Sequence, residues 1–203
     1  MQPANQPNIL QAAADFCWAA GRAFSLNIQS NLGGNISIRI GPDRFLTKPT
    51  GIGLVDCLLS DLVAVDGTGT PLDGHALPTK EIQVHLSLFE ARPDVNAIVH
   101  YHAPHATAFA SRHLTIPLNT LHARRIIKKI PVLPELPEGS AALSEAVVEA
   151  FADPEIVGLL MANHGLSTIG SSLRQAQYMA ELIEETARTE LYAALLTPGA
   201  LNA

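Results

Sequence analysis

Cysteine is nearly absent, with Cys17 and Cys57 the two in 203 residues. They stand apart from each other and from every histidine along the chain, which argues against a disulfide framework or a cysteine-based metal site, and both read as buried thiols. Positive charge is scarce too. Lysine and arginine number 13 against 19 acidic residues, for a formal net charge of −6, and the pairs Arg124-Arg125 and Lys128-Lys129 are too small to mark a nucleic-acid surface. No apolar run approaches the roughly 18 residues of a membrane span. The opening Met1-Gln-Pro-Ala-Asn-Gln-Pro7 has neither the basic stretch nor the apolar segment of a signal peptide. The phosphate-binding signatures G-x-G-x-x-G and G-x-x-x-x-G-K-[ST] are missing, as are internal repeats and low-complexity tracts. Together these absences predict a cytoplasmic protein whose partner is a small molecule, with no nucleic acid and no membrane.

Apolar material is plentiful. At 47% hydrophobic and 16% charged residues, the chain can build one sizeable core and is short for two, so a single domain over residues 1–203 is expected. Ile9, Ala13, Phe16, Ala20 and Phe24 recur at the spacing of one helical face, predicting a helix over 8–26. Gly33-Gly34 breaks that pattern. Asn35-Ile-Ser-Ile-Arg-Ile40 then alternates as a half-buried strand, Gly41-Pro-Asp43 makes a turn, and 44–47 forms another strand. Apolar runs at 62–65, 97–102 and 156–162 also read as strands, the last two buried on both faces. Helices are predicted over 79–91, between Pro78 and Pro93, and over 140–151. A final helix carries Leu173, Ala176, Ala180, Ile183, Ala187, Leu191 and Ala194 on one stripe, until Pro198-Gly199 stops it. The proline-punctuated segment 130–138 reads as an extended connection that packs. Strands and helices are mixed without regular alternation, which fits a layered α/β or α+β domain.

Chemistry concentrates at the histidines. His100 and His102 close the run Ala97-Ile-Val-His-Tyr-His102, and a strand sends residues i and i+2 to one face, so the two imidazoles converge while Val99 and Tyr101 point the other way. A lone buried histidine is more often a core residue than a ligand; the H-x-H spacing is what turns the reading toward a metal. His164, in a glycine-containing turn at the end of another apolar strand, suits a third ligand. Glu81, in Pro78-Thr-Lys-Glu81-Ile, is the candidate oxygen ligand, although an acid in a helix's first turn also simply complements the helix dipole. His85, one turn later, either orients that carboxylate or packs beside it. Ser30-Asn-Leu-Gly-Gly-Asn35 and Lys48-Pro-Thr-Gly-Ile-Gly53 can turn N–H and hydroxyl groups toward an anion, and the helix start at Thr79-Lys80 adds a third donor group. Each loop alone is also an ordinary turn.

Five elements, in order, resemble the class II aldolase and adducin head family from about residue 9 to 196. They are Gly34-Asn35-Ile-Ser37, Thr47-Lys-Pro-Thr50-Gly51, Pro78-Thr-Lys-Glu81, the run from Arg92-Pro-Asp94 to His100-Tyr-His102, and Asn163-His164-Gly165. The resemblance implies a three-layer α/β/α fold with a central, mainly antiparallel sheet, and a homotetramer with active sites between subunits. It implies a divalent metal, usually Zn2+ with Mn2+ or Co2+ as other occupants, bound by Glu81, His100, His102 and His164. Asn35, Thr50, Gly51, Thr79 and Lys80 would surround a phosphate, so the partner is a small phosphorylated sugar or keto-acid. The reaction implied is C–C bond cleavage of a phosphorylated keto-sugar through a metal-stabilised enediolate, with Glu81 doubling as general acid/base.

One position departs from the pattern. Where the fuculose-phosphate aldolase pattern has a tyrosine four residues after the proline that corresponds to Pro117, this chain has Leu121 and then His122, which makes His122 the candidate acid. Lys80 and Glu184-Glu-Thr-Ala-Arg188 look more like the 3-oxo-tetronate 4-phosphate decarboxylase branch. There, loss of carbon dioxide leaves the enediolate and no aldehyde has to be protonated. A sugar-phosphate 4-epimerase, which breaks and reforms the same bond, is a further alternative. A non-catalytic, adducin-like interaction domain is the remaining one, although that head has lost metal ligands that are all present here.

Overall fold

A computed structural model describes residues 7–74 and 76–196; Pro198-Gly199, expected to end the last helix, lies outside them. The chain runs α1 (Ile9–Ser25), β1 (Asn35–Gly41), β2 (Arg44–Thr47), β3 (Val63–Val65), α2 (Ile82–Ala91), β4 (Ala97–Tyr101), α3 (Pro104–Ser111), α4 (Leu121–Ile126), β5 (Val132–Leu133), α5 (Ala141–Phe151), β6 (Gly158–Met161), β7 (Gly165–Gly170) and α6 (Leu173–Leu196). The seven strands form one sheet in the order β3-β2-β1-β4-β7-β6-β5. Every pairing is antiparallel except β5 with β6. This is the mainly antiparallel sheet between helical layers that the motifs implied.

Side-chain alternation along β4 sorts the two layers. Ala97, Val99 and Tyr101 enter the core shared with α1, α3 and α6, whereas Ile98 joins the core under α2 and α5, as period-two geometry requires. The first layer is built of small residues. Ala12, Ala19 and Ala23 of α1 and Ala176, Ala180 and Ala187 of α6 are all fully buried, so the helix backbones can lie close to the sheet and to each other. The predicted stripe on α1 is turned slightly: Ala12, Phe16, Ala19 and Ala23 face inward, while Ile9 and Phe24 are exposed. On α6 the stripe holds through Ala187 and then emerges, Ala194 being exposed.

Four elements escape a periodicity reading. β7 places Ser167 and Thr168 in the interior, so it lacks an apolar run, and α3, α4 and β5 are too short to build one. Helix α2 starts three residues later than predicted. A bridge between Pro49 and Pro78, with Thr79 N donating to Lys48 O at 2.9 Å, ties the start of that stretch to the 48–49 segment, the chain turns at Lys80 and Glu81, and Glu81 becomes the residue before the helix. The cysteines, remote in sequence, prove to be neighbours: Cys17 Sγ lies 3.9 Å from Cys57 O. Both are free thiols, Cys57 buried as expected but Cys17 only half-buried, and burial pushes that of Cys57 up to about 12. No helix among the described residues is long and apolar enough to cross a membrane.

Helix α3 starts with Pro104, and its cap residue Ala103 offers no side-chain acceptor. The acceptor comes from α6 instead. Glu184 receives His105 N at 3.1 Å, Ala106 N at 2.8 Å and the His105 ring at 2.7 Å. Glu184 and Arg188 line a cleft with His105 and Tyr192, apart from the one that the histidines line, and Glu184 there braces the start of α3. Glu184→Ala strands two amides at a helix start. The expected cost is about 2 kcal/mol, measurable as a lower urea midpoint with an unchanged slope.

Candidate metal centre and anion cleft

The sheet register assembles the centre. Asn35 at the start of β1 pairs with His100 on β4, and His100 pairs with Ser167 on β7, which brings the turn bearing His164 alongside. The His100 ring lies 5.0 Å from that of His102 and 4.6 Å from that of His164, centroid to centroid. One ligand nitrogen from each of the three lies within 4.8 Å of the others. His100 Nδ1 faces the carbonyl of Leu166 at 3.0 Å. A carbonyl only accepts, so Nδ1 carries the proton and the lone pair sits on Nε2. That Nε2 is buried without any hydrogen-bond partner.

Glu81 stands beside two of the three imidazoles. Its two oxygens stand 3.5 Å from His100 Nε2 and 3.8 Å from His164 Nε2, and Asn35 Nδ2 donates to it at 2.7 Å. Burial pushes this carboxyl up, but the His100 imidazole, the Asn35 amide, and the rings of His85 and His164 outweigh it, and the group falls well below its usual range. His100 goes the same way for the opposite reason, because burial disfavours its cation. One carboxylate and three imidazoles, with the bare lone pair of His100 among them, form a donor set that fits a divalent transition metal. His85 turns away from Glu81: its Nδ1 lies 2.7 Å from Ser37 Oγ, and Ser37 in turn donates to Thr47.

Acid should loosen the metal-free protein. Burial lowers His85 to about 4 and His100 to about 3, from 6.5. Unfolding lets both rings bind protons below 6.5. Stability should therefore be level above that pH and fall below it, by roughly 1.4 kcal/mol per pH unit for each ring until its folded value is reached. Glu81, depressed from 4.5, adds a loss only below that value. Urea unfolding of metal-stripped protein at pH 7, 5.5 and 4.5 reads the slope, and a flat profile would contradict the neutral burial.

A cleft of about 370 Å³ opens over these groups. Every residue expected to meet metal or phosphate lines it: Asn35, Thr50, Gly51, Thr79, Lys80, Glu81, His100, His102 and His164. Thr50 N donates to Leu77 O and Thr79 N to Lys48 O, both at 2.9 Å, so the two anion-facing segments are stitched side by side. Beneath them Lys48 is buried and donates to the carbonyls of Leu32 and Gly34 at 2.7 and 3.0 Å, bracing the glycine loop. His122 is elsewhere: it is exposed on α4, outside the cleft of its own chain. Two residues that the sequence did not single out also belong here. Gln29 Oε1 takes the backbone N–H of His102 at 2.7 Å, and Glu138 stands at the mouth with Oε1 3.8 Å from His164 Nε2. No local signal marks either one, since both act through the folded loop geometry.

The family model for the class II aldolase and adducin N-terminal domain matches residues 14–191. An L-fuculose phosphate aldolase of Methanococcus maripaludis is 34% identical over 156 residues, covering 77% of this chain and 83% of its own. The protein of that name from Escherichia coli K12 is 32% identical over 173 residues, covering 85% and 79%. Among solved structures, YgbL of Klebsiella pneumoniae superposes with a TM-score of 0.83 at 26% identity over 97% of this chain and 98% of that one; its name leaves aldolase, epimerase and decarboxylase side by side. With its histidine cluster, its glycine loop and its sheet all falling inside the matched span, this chain belongs to the class II aldolase and adducin N-terminal domain family.

Proposed function

We propose that the protein is a zinc-dependent lyase that cleaves a C–C bond in a small phosphorylated keto-sugar. The observation that carries this reading is the joining of two devices in one cleft: three imidazoles and a buried carboxylate beside two stitched backbone segments that bring Thr50, Gly51, Thr79 and Lys80 to its wall. Glu81, His100, His102 and His164 hold the ion. When bound, the ion supplies Lewis-acid stabilisation of the negative charge that develops on the substrate oxygens. Thr50, Gly51, Thr79 and Lys80 hold the phosphate and so fix the far end of the substrate. Asn35 holds the Glu81 carboxylate ready to accept a proton from a substrate hydroxyl and to return it at carbon. The proposal includes a single domain with its core over 9–196, a cytoplasmic location, and a homotetramer. Leu121 is 80% exposed and His122 adjoins it, so His122 serves as an acid only in a neighbouring subunit's cleft.

The presence of Lys80 in the cleft favours one second reading, decarboxylation of a phosphorylated 3-oxo acid. A screen decides between the two. Metal-loaded protein is assayed for aldehyde release and for carbon dioxide release against phosphorylated ketoses and 3-oxo acids, with metal content determined in parallel. Aldehyde release at one ion per chain supports the first reading; carbon dioxide alone replaces it with the second. Absence of stoichiometric metal, or of both products, removes the lyase reading.

A further inference from the structure

The cleft holds a second carboxylate that the proposed chemistry does not use. Glu138 lies between β5 and α5, in a segment clamped on either side. On one side Glu135 accepts Asn163 Nδ2 at 2.6 Å, which ties the segment to the His164 turn. On the other, Gly139 has φ +66°, and a Cβ there would come within 2.7 Å of the Lys80 carbonyl oxygen. The backbone of Glu138 is thus seated against the walls of the cleft.

Its side chain is 65% exposed and reaches as close to His164 Nε2 as Glu81 does, 3.8 Å in both cases. Glu81 is tied to Asn35, whereas Glu138 enters no hydrogen bond among those recorded for the described residues. An ionised carboxylate only accepts hydrogen bonds. Here its oxygens are open to whatever extends from the metal position into the mouth of the cleft.

Resting on the lyase reading above, we propose that Glu138 is the specificity-determining acceptor of the cleft. Its carboxylate takes hydrogen bonds from hydroxyl groups on the unphosphorylated half of the substrate and turns away substrates that carry a second negative charge there. Such a device works by repulsion as much as by attraction. A site built to bond a hydroxyl rejects the partner that cannot supply one. The substrate class that follows is a phosphorylated ketose whose distal half ends in hydroxyls, rather than a phosphorylated sugar acid.

Two probes of equal length, sorbitol 6-phosphate and 6-phosphogluconate, differ at one end by a hydroxymethyl against a carboxylate. Calorimetry on the zinc-loaded protein should show the polyol phosphate binding at least tenfold more tightly. Glu138→Gln should bring the two affinities within about threefold of each other, and Glu138→Lys should reverse their order, with zinc content unchanged in both variants. On any ketose phosphate that the wild type cleaves, Glu138→Gln should raise KM more than it lowers kcat.

If the wild type binds neither probe, the assignment of Glu138 falls, while the lyase reading is decided by metal content and the product screen. Should it bind both with a ratio that the variants leave alone, the assignment of Glu138 falls and the lyase reading stands. Loss of zinc from Glu138→Gln would overturn the assignment by making Glu138 a ligand.

Discussion

Glu81→Gln should lower kcat for C–C cleavage by about 10² to 10⁴-fold, the range associated with losing a positioned general base. Zinc content should stay near one ion per chain. The substitution keeps the shape of the side chain and removes its charge and basicity, so it separates proton transfer from metal retention. Three imidazoles remain to hold the ion, their nitrogens all within 4.8 Å of one another. The carboxyl is held below its usual range against the pull of its own burial, and the Asn35 amide that donates to it at 2.7 Å favours its ionised form. A base kept ionised in this way is available whenever substrate arrives. Full activity in the variant would remove Glu81 from the proton path. Loss of metal together with activity would show a ligand alone. Metal content by elemental analysis and kcat at saturating substrate, measured on one preparation, tell these outcomes apart.

The histidine pair was readable because a strand is regular: once His100 and His102 end an apolar run, their shared face follows from a period of two. His164 was readable for a related reason, since it lies in the glycine-containing turn that follows the apolar strand β6. The reach of that rule stops where backbone ceases to repeat. Glu81 was expected inside a first helical turn, but the bridge between Pro49 and Pro78 delays α2, and the residue sits just ahead of it. Its position owes as much to the 48–50 segment, remote in sequence, as to its own neighbours. β7 was hidden for an energetic reason. Its buried Thr168 donates to Ala176 O at 2.8 Å, so polar side chains occupy a place that a hydropathy pattern reserves for apolar ones. Glu138 and Gln29 were invisible because a carboxylate or an amide in a loop acquires a role only from what the fold sets before it.

Gly165→Ala should dismantle the metal centre from behind. A methyl group at this position would be driven into the carbonyl oxygen of Tyr101 and would stand 3.2 Å from both His100 Cε1 and His102 Cδ2. Backbone cannot swing aside as a side chain does, and Tyr101 is locked: its ring is fully buried and its hydroxyl donates to Gln177 at 2.6 Å. The strand pair β4 and β7 must therefore separate at its end, where Tyr101 faces Leu166. Overpacking of this kind costs about 1–3 kcal/mol. The same movement pulls Leu166 O away from His100 Nδ1, the bond that aims its Nε2 at the centre. Disturbing such a partner typically weakens metal binding about 10 to 100-fold. Gly21→Ala is the control. Nothing lies within 4 Å of a Cβ at Gly21, which sits within α1, so the added methyl should stabilise the protein by about 0.5–1 kcal/mol with zinc affinity unchanged. Zinc titration against a competing chelator and urea unfolding of both variants make the comparison. Retained affinity in Gly165→Ala would mean that the imidazoles are positioned by their own loops and not by the close approach of β7 to β4.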